Sequence, residues 1–277
     1  MRCLPSAMNQ AALVREAPLA HLRWGRGERV VVLLHGLGGG RTAWGDALSG
    51  TGPALAVAGF TAVAVDLPGY GDSPAIDPYD MAGLAAAVVA LIDWLQPPRC
   101  ALVGHSMGGM VAQEVMARAP QRVQALAISG TSAAFGNADR RWQAEFMAQR
   151  LGPLDAGRGM VGLAPGLVLG MASPTAPHDA VARAALLMSG VPEATYRQAL
   201  HAVAGFDRRE LLHDLRLPVL CLAGEHDRST PPALMAQMAA RIADAEFVCV
   251  PRMGHLANME APEPFNAALI DFLLRRF

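Results

Sequence analysis

The 277-residue chain has no lysine; all 23 of its basic residues are arginine. Schiff-base chemistry and pyridoxal phosphate attachment both need a lysine amine, and a P-loop needs its lysine on the nucleotide phosphates, so all three are excluded. Charge is scarce and balanced. Only 17% of residues are charged, and 23 basic against 24 acidic side chains leave a net charge of −1, too little to gather a nucleic-acid backbone. No apolar run approaches the ~20 residues of a membrane span. The longest, Met81 to Ile92, is closed by Asp80 and Asp93. The opening MRCLPSAMNQAALVREAP contains no uninterrupted stretch suited to a signal peptide, and Met8 is an alternative start. Cysteine is limited to Cys3, Cys100, Cys221 and Cys249, with no CxxC pair. The last three sit in apolar runs and are expected to be buried, reduced thiols. These absences together point to a soluble, cytoplasmic protein.

What is present is apolar. Hydrophobic residues make up 52% of the chain, which rules out disorder. Six short runs read as strands of a sheet covered on both faces: Val30–Leu34, Ala62–Val65, Ala101–Val103, Ala125–Ile128, Val219–Leu222 and Phe247–Val250. Helical patterns alternate with them at Tyr79–Gln96, Met107–Arg118, Pro232–Ile242 and Glu263–Arg276. This rhythm implies an α/β fold with a mostly parallel, doubly wound sheet and right-handed crossovers. It breaks between residues 132 and 214, where helical patterns at Arg140–Arg150, Ala180–Met188 and Glu193–Ala204 are interrupted by Gly152–Pro153, Pro165–Gly166, Pro174 and Pro177. Residues 1–131 and 215–277 are therefore expected to form the core, and 132–214 a helical cap inserted between two strands.

The strongest chemical signal is Gly104-His105-Ser106-Met107-Gly108, which leaves a strand and opens a helix. A turn that sharp lifts the serine hydroxyl clear of the sheet, and residues two positions either side must be small. A neutral serine needs a base, and the base needs an orienting acid. His105 is expected to point away on the turn, and His35 ends a strand before a glycine loop. His21, His178, His201 and His213 lie in segments without a turn at a strand's carboxyl end. His255 lies just past the last strand and is the base the spacing favours. The acid is most simply Asp227 in GEHD, with Glu225 as local rival. The loop Ser129-Gly130-Thr131-Ser132 has no carboxylate and cannot supply it. For an oxyanion, the new helix N-terminus offers the Met107 N–H. The loop His35–Gly40 offers that of Leu37, unless it is a plain flexible turn. A dinucleotide fingerprint there would need glycine where Arg41 stands.

HGLGGG, DLPGYGDS (66–73), GHSMGG, GEHD and the terminal GHLANMEAPEPFNAALIDFL resemble the α/β-hydrolase fold superfamily over nearly the whole chain. With Asp207 and LPVLCLAGEHDRSTPP, the terminal segment is similar to 3-oxoadipate enol-lactone hydrolases and small carboxylesterases. The resemblance implies a nucleophile at Ser106, an acid at Asp227, a base at His255 and oxyanion donors at Leu37 and Met107. Expected is a serine hydrolase cleaving an ester or lactone of a small, largely apolar substrate through an acyl-enzyme, with no cofactor or metal. A carbon–carbon bond hydrolase of vinylogous diketones would use the same residues, and a non-catalytic small-molecule receptor would keep only the pocket. Cap residues Met147, Met188, Met160 and Met171 are candidate apolar pocket residues, although methionine at helical spacing also serves ordinary packing. A carboxylate-bearing substrate would call for arginine, with Arg140, Arg141 and Arg197 as candidates. The expected partner is the substrate alone, with neither nucleic acid nor membrane; self-association is left open.

Overall fold

The computed structural model describes residues 16–136 and 140–277, the side chain of residue 140 excepted. Cys3 and Met8 lie outside the described residues. In chain order the elements are β1 (His21–Trp24), β2 (Arg29–Leu34), α1 (Thr51–Val57), β3 (Thr61–Val65), α2 (Met81–Leu95), β4 (Arg99–His105), α3 (Met107–Arg118) and β5 (Ala125–Ser129). Four helices follow: α4 (Arg140–Asp155), α5 (Gly159–Met171), α6 (His178–Ser189) and α7 (Glu193–Ala204). The chain then returns through β6 (Val219–Gly224), α8 (Pro232–Ala239), β7 (Ala245–Val250), α9 (Ala257–Glu260) and α10 (Pro262–Arg276).

The seven strands form one sheet in the order β1-β3-β2-β4-β5-β6-β7, parallel throughout except for β1, which pairs antiparallel with β3 at the edge. Alternation along β2 divides the core in two. Val30, Val32 and Leu34 face Leu84 and Val88 of α2, Val111 of α3 and Met235 of α8. Val31 and Leu33 belong to the opposite layer, with Leu55 of α1 and Phe265, Leu269 and Phe272 of α10. Because both faces are covered, β3, β4, β5 and β6 are buried almost end to end. The chain winds to one side of β2 for β3 and to the other for β4, and such a reversal leaves a crevice at the strands' carboxyl ends.

Several expectations need correcting. β1 was missed because HLRW is a half-exposed edge strand without a continuous apolar run. Gly152–Pro153 and Pro165–Gly166 do not end helices: Pro153 lies inside α4 and Pro165 inside α5. Burial of Leu163, Ala164 and Val168 on the core holds α5 together despite its glycines. Cys100 and Cys221 are buried thiols, but Cys249 is exposed on the outermost strand β7. No helix among the described residues is long and apolar enough to cross a membrane.

Candidate active site

β4 ends at His105 and α3 begins at Met107, so the whole change of direction falls on Ser106, with φ 51° and ψ −118°. A side-chain-bearing residue adopts such angles only when its surroundings over-determine them. Ser106 N–H donates to Ser129 O at 2.8 Å, and its carbonyl accepts from the Thr131 hydroxyl at 2.8 Å. Gly104 and Gly108 make room for the turn. A Cβ on Gly104 would sit 2.4 Å from Gly108 O, and one on Gly108 would sit 2.1 Å from Leu34 O.

The loops after β6 and β7 bring two distant side chains to this turn. His255 Nε2 lies 3.0 Å from Ser106 Oγ, and His255 Nδ1 lies 2.8 Å from Asp227 Oδ2. A carboxylate only accepts, so Nδ1 carries the proton and Nε2 is free to accept from the serine. Asp227 is almost wholly buried, and its other oxygen accepts from the amides of Ser229 and Thr230, each at 2.8 Å. Burial pushes this carboxyl up, but His255 and those amides outweigh it and hold it below its ordinary value. Glu225 is exposed and accepts from Arg252 N–H instead.

Leu37 and Met107 border the same cavity as Ser106, and among the described residues neither amide donates a hydrogen bond. The Leu37 loop is held from outside: the Tyr70 hydroxyl donates to Leu37 O at 2.9 Å. His35 Nε2 accepts from Leu67 N–H at 3.0 Å, so Nδ1 carries the proton and donates to Gly36 O at 2.8 Å. Burial lowers the pKa of His35 to about 4, which keeps this bridge neutral. His105 does not turn away from the site. Its ring packs 5.0 Å from that of His255, and its Nδ1 is buried without a hydrogen bond. Burial, with the nearby His255, lowers its pKa to about 3.

Glu260 is a further buried participant. Its carboxylate accepts from Ser173 N–H at 3.0 Å, Gly254 N–H at 2.9 Å and Leu256 N–H at 3.0 Å, while His255 N–H donates to Met171 O at 2.9 Å. One carboxylate thus ties the histidine loop to the end of α5. The sequence signal was a glutamate inside an otherwise apolar terminal motif, but its role requires three amides that only folding assembles.

The cavity measures about 640 Å³ and is walled by apolar side chains of the core and of α4–α7. Met188 and Met171 line it, whereas Met147 packs into the helical layer and Met160 is buried there. A Cβ on Gly38 would meet the Met188 side chain at 2.2 Å, so α6 rests directly on the His35–Gly40 loop. Arg197 is not at the cavity; Glu193 and Asp155 hold its guanidinium at 2.9 and 2.7 Å. Arg141 is also absent from the lining, and the Arg140 side chain lies outside the described residues. Four other arginines border the cavity, Arg150 on α4 together with Arg209, Arg228 and Arg241, and of these Arg150 stands among the aromatic side chains of α4.

Residues 31–268 match the model of the alpha/beta hydrolase family. The chain belongs to that family. It is 35% identical over 265 residues to the dihydrolipoyllysine-residue acetyltransferase component of the acetoin cleaving system of Pseudomonas putida, an alignment covering 91% of this chain and 66% of that protein. It is 28% identical over 231 residues to 3-oxoadipate enol-lactonase 2 of Acinetobacter baylyi, covering 79% and 80% of the two chains. A thermophilic esterase from Thermogutta terrifontis superimposes with a TM-score of 0.77 at 26% identity over 93% of each chain. The chain is thus an α/β hydrolase resembling enol-lactonases and esterases.

Two predictions follow from these buried groups. Unfolding frees His35 and His105 to titrate near 6.5, whereas folded they resist protonation until about 4 and about 3. Their contribution to stability is complete above pH 6.5 and is lost as pH falls toward 4, by about 3 kcal/mol or more for each ring. Denaturant midpoints measured across this range should fall steeply, and a flat profile would contradict the assignment. Second, Glu260→Gln places an amide donor against backbone donors. It should cost about 1–3 kcal/mol in urea unfolding and weaken the low-field proton resonance of the His255–Asp227 pair.

Proposed function

We propose that this α/β hydrolase is a serine hydrolase that cleaves carboxylic esters or lactones of small, largely apolar substrates through an acyl-enzyme. The observation that carries this reading is the unbroken line from Ser106 Oγ through His255 to Asp227, opening onto a cavity walled by apolar side chains. The similarity to an enol-lactonase and to an esterase supports the same reaction class.

In the proposed cycle His255 Nε2 takes the Ser106 proton as Oγ attacks the substrate carbonyl. The imidazolium then hands that proton to the departing alkoxide or enolate oxygen. Water, deprotonated by the same nitrogen, attacks the acyl carbonyl; the bond to Ser106 Oγ breaks, His255 returns the proton to that oxygen and the carboxylic acid leaves. Asp227 holds the Nδ1–H tautomer and stabilises the transient imidazolium, which its low pKa suits because it stays ionised throughout. The Leu37 and Met107 amides act as oxyanion donors; each lacks an internal acceptor and is free to meet charge developing on the carbonyl oxygen. Residues 132–214 serve as a cap whose apolar walls exclude water from the acyl group.

A fluorophosphonate probe should add covalently to the wild type and leave Ser106→Ala unmodified in intact-mass spectra; equal labelling of both would remove the nucleophile assignment. With a p-nitrophenyl ester, Asp227→Asn should fold normally and lose about 10³-fold or more in kcat. Near-normal turnover would pass the acid's role to Glu225.

A further inference from the structure

The cavity beside Ser106 contains a cation that the proposed reaction does not use. We propose that Arg150 and Tyr196 form an acid-binding subsite, so that the ester or lactone cleaved here carries a carboxylate remote from its scissile carbonyl. This inference deepens the reading above and rests on it.

Arg150 lies on α4 and is half-buried at the cavity wall. Its guanidinium carbon stands 3.3 Å from the centre of the Phe146 ring, and Nη1 makes one long hydrogen bond, 3.3 Å, to Phe146 O. Among the described residues no carboxylate pairs with it. Arg197 on α7 shows the contrast, with Glu193 and Asp155 both holding it. A guanidinium withdrawn from water without a counter-ion is costly, and a ligand anion would offset that cost.

Tyr196, beside Arg150, is the second sign. It sits on α7, fully buried, lines the same cavity, and its hydroxyl makes no hydrogen bond of ordinary geometry. Burial pushes its pKa up to about 12, with the Arg150 charge opposing the rise, so the hydroxyl is a donor at neutral pH and lies close to the guanidinium. A forked cation without a carboxylate partner beside a neutral O–H that has no acceptor of its own among the described residues matches the oxygens of one carboxylate. Phe135, Trp142 and Phe146 pack together at 4.9–5.4 Å between ring centres and wall this part of the cavity. Apolar walls strengthen a charge pair by excluding water, and they suit a substrate whose body is hydrocarbon. Of the other arginines at the cavity, Arg209 is paired with Asp207, Arg228 is exposed, and Arg241 donates to Arg209 O at 2.9 Å and lies against His213 Nε2.

The test uses monomethyl esters of linear dicarboxylic acids of rising chain length, each paired with the methyl ester in which the distal carboxylate is replaced by methyl. At the chain length that spans the cavity, the wild type should show at least about tenfold higher kcat/KM for the acid ester. Arg150→Gln should reduce the acid-over-neutral ratio by about ten- to hundredfold, mainly through KM. Tyr196→Phe, which removes only the hydroxyl, should reduce it severalfold, and Arg150→Lys should restore part of what Arg150→Gln loses. A ratio near one at every length, a ratio unmoved by Arg150→Gln, or one abolished by Arg228→Gln or Arg241→Gln instead would overturn the subsite. Calorimetric titration of the free dicarboxylates into Ser106→Ala, with and without Arg150→Gln, separates the two claims. Arg150-dependent binding without turnover of any ester by the wild type would sink the hydrolase reading and keep the subsite. Turnover with no acid preference and no Arg150-dependent binding would do the reverse.

Discussion

A positive φ at Ser106 is the constraint on which the remaining site geometry depends. A serine in that conformation is tolerable only because hydrogen bonds to Ser129 and Thr131 and the bare backbones of Gly104 and Gly108 hold it from several sides. The turn raises the hydroxyl to the rim of the sheet while starting a buried helix in the same step. Its neighbour amide, Met107, is thereby left without an internal acceptor. Strain, exposure of the oxygen and an available donor are three consequences of one backbone angle.

Rigidity elsewhere keeps the partners of that serine in register. The sheet supplies it in the form of two unlike layers, read alternately from each strand, so that loops after β4, β5, β6 and β7 converge at one edge. A buried neutral histidine and two carboxylates that accept from backbone amides then fix the loops themselves. His35 bridges Leu67 and Gly36, Asp227 gathers the Ser229 and Thr230 amides, and Glu260 gathers those of Ser173, Gly254 and Leu256. Each replaces the water those amides would otherwise bind, and each fixes a direction as well as a distance. The helical insertion is coupled to this frame through Met188 against Gly38, through Met171 O against His255 N–H and through Ser173 N–H against Glu260. Movement of the insertion would therefore be felt by the histidine loop and by the glycine loop together.

The linear chain and the folded one contribute different kinds of information. Six of the strands were legible as continuous apolar runs, which a doubly covered sheet demands of all but the half-exposed edge strand β7, expected to be buried. The α3 helix was legible because a strand-to-helix serine turn demands glycines at set offsets. The residues Ser106, Asp227 and His255 stood out for the same local reason, each at a strand's carboxyl end in a loop of small residues. β1 escaped because an edge strand needs no such run, and α5 because tertiary burial can override the helix-breaking preference of glycine and proline. The inward turn of His105, the exposure of Cys249 and the three-amide grip of Glu260 leave no local signature, since each depends on what another segment places beside it.

The choice among arginines marks the same boundary. With no lysine in the chain, every fixed cation is an arginine, and the sequence pointed to Arg140, Arg141 and Arg197 rather than to Arg150. Helical phase and the packing of α4 against α7 decide that Arg197 meets Glu193 and Asp155 while Arg150 meets an apolar cavity. The amino-acid order by itself determined the fold family and the chemical types brought to the sheet edge, because periodicity and turn chemistry are local. Which side chains touch, which stay neutral and which charge is left without an internal partner were decided only by the tertiary structure, because desolvation and hydrogen-bond direction depend on residues far apart in the chain.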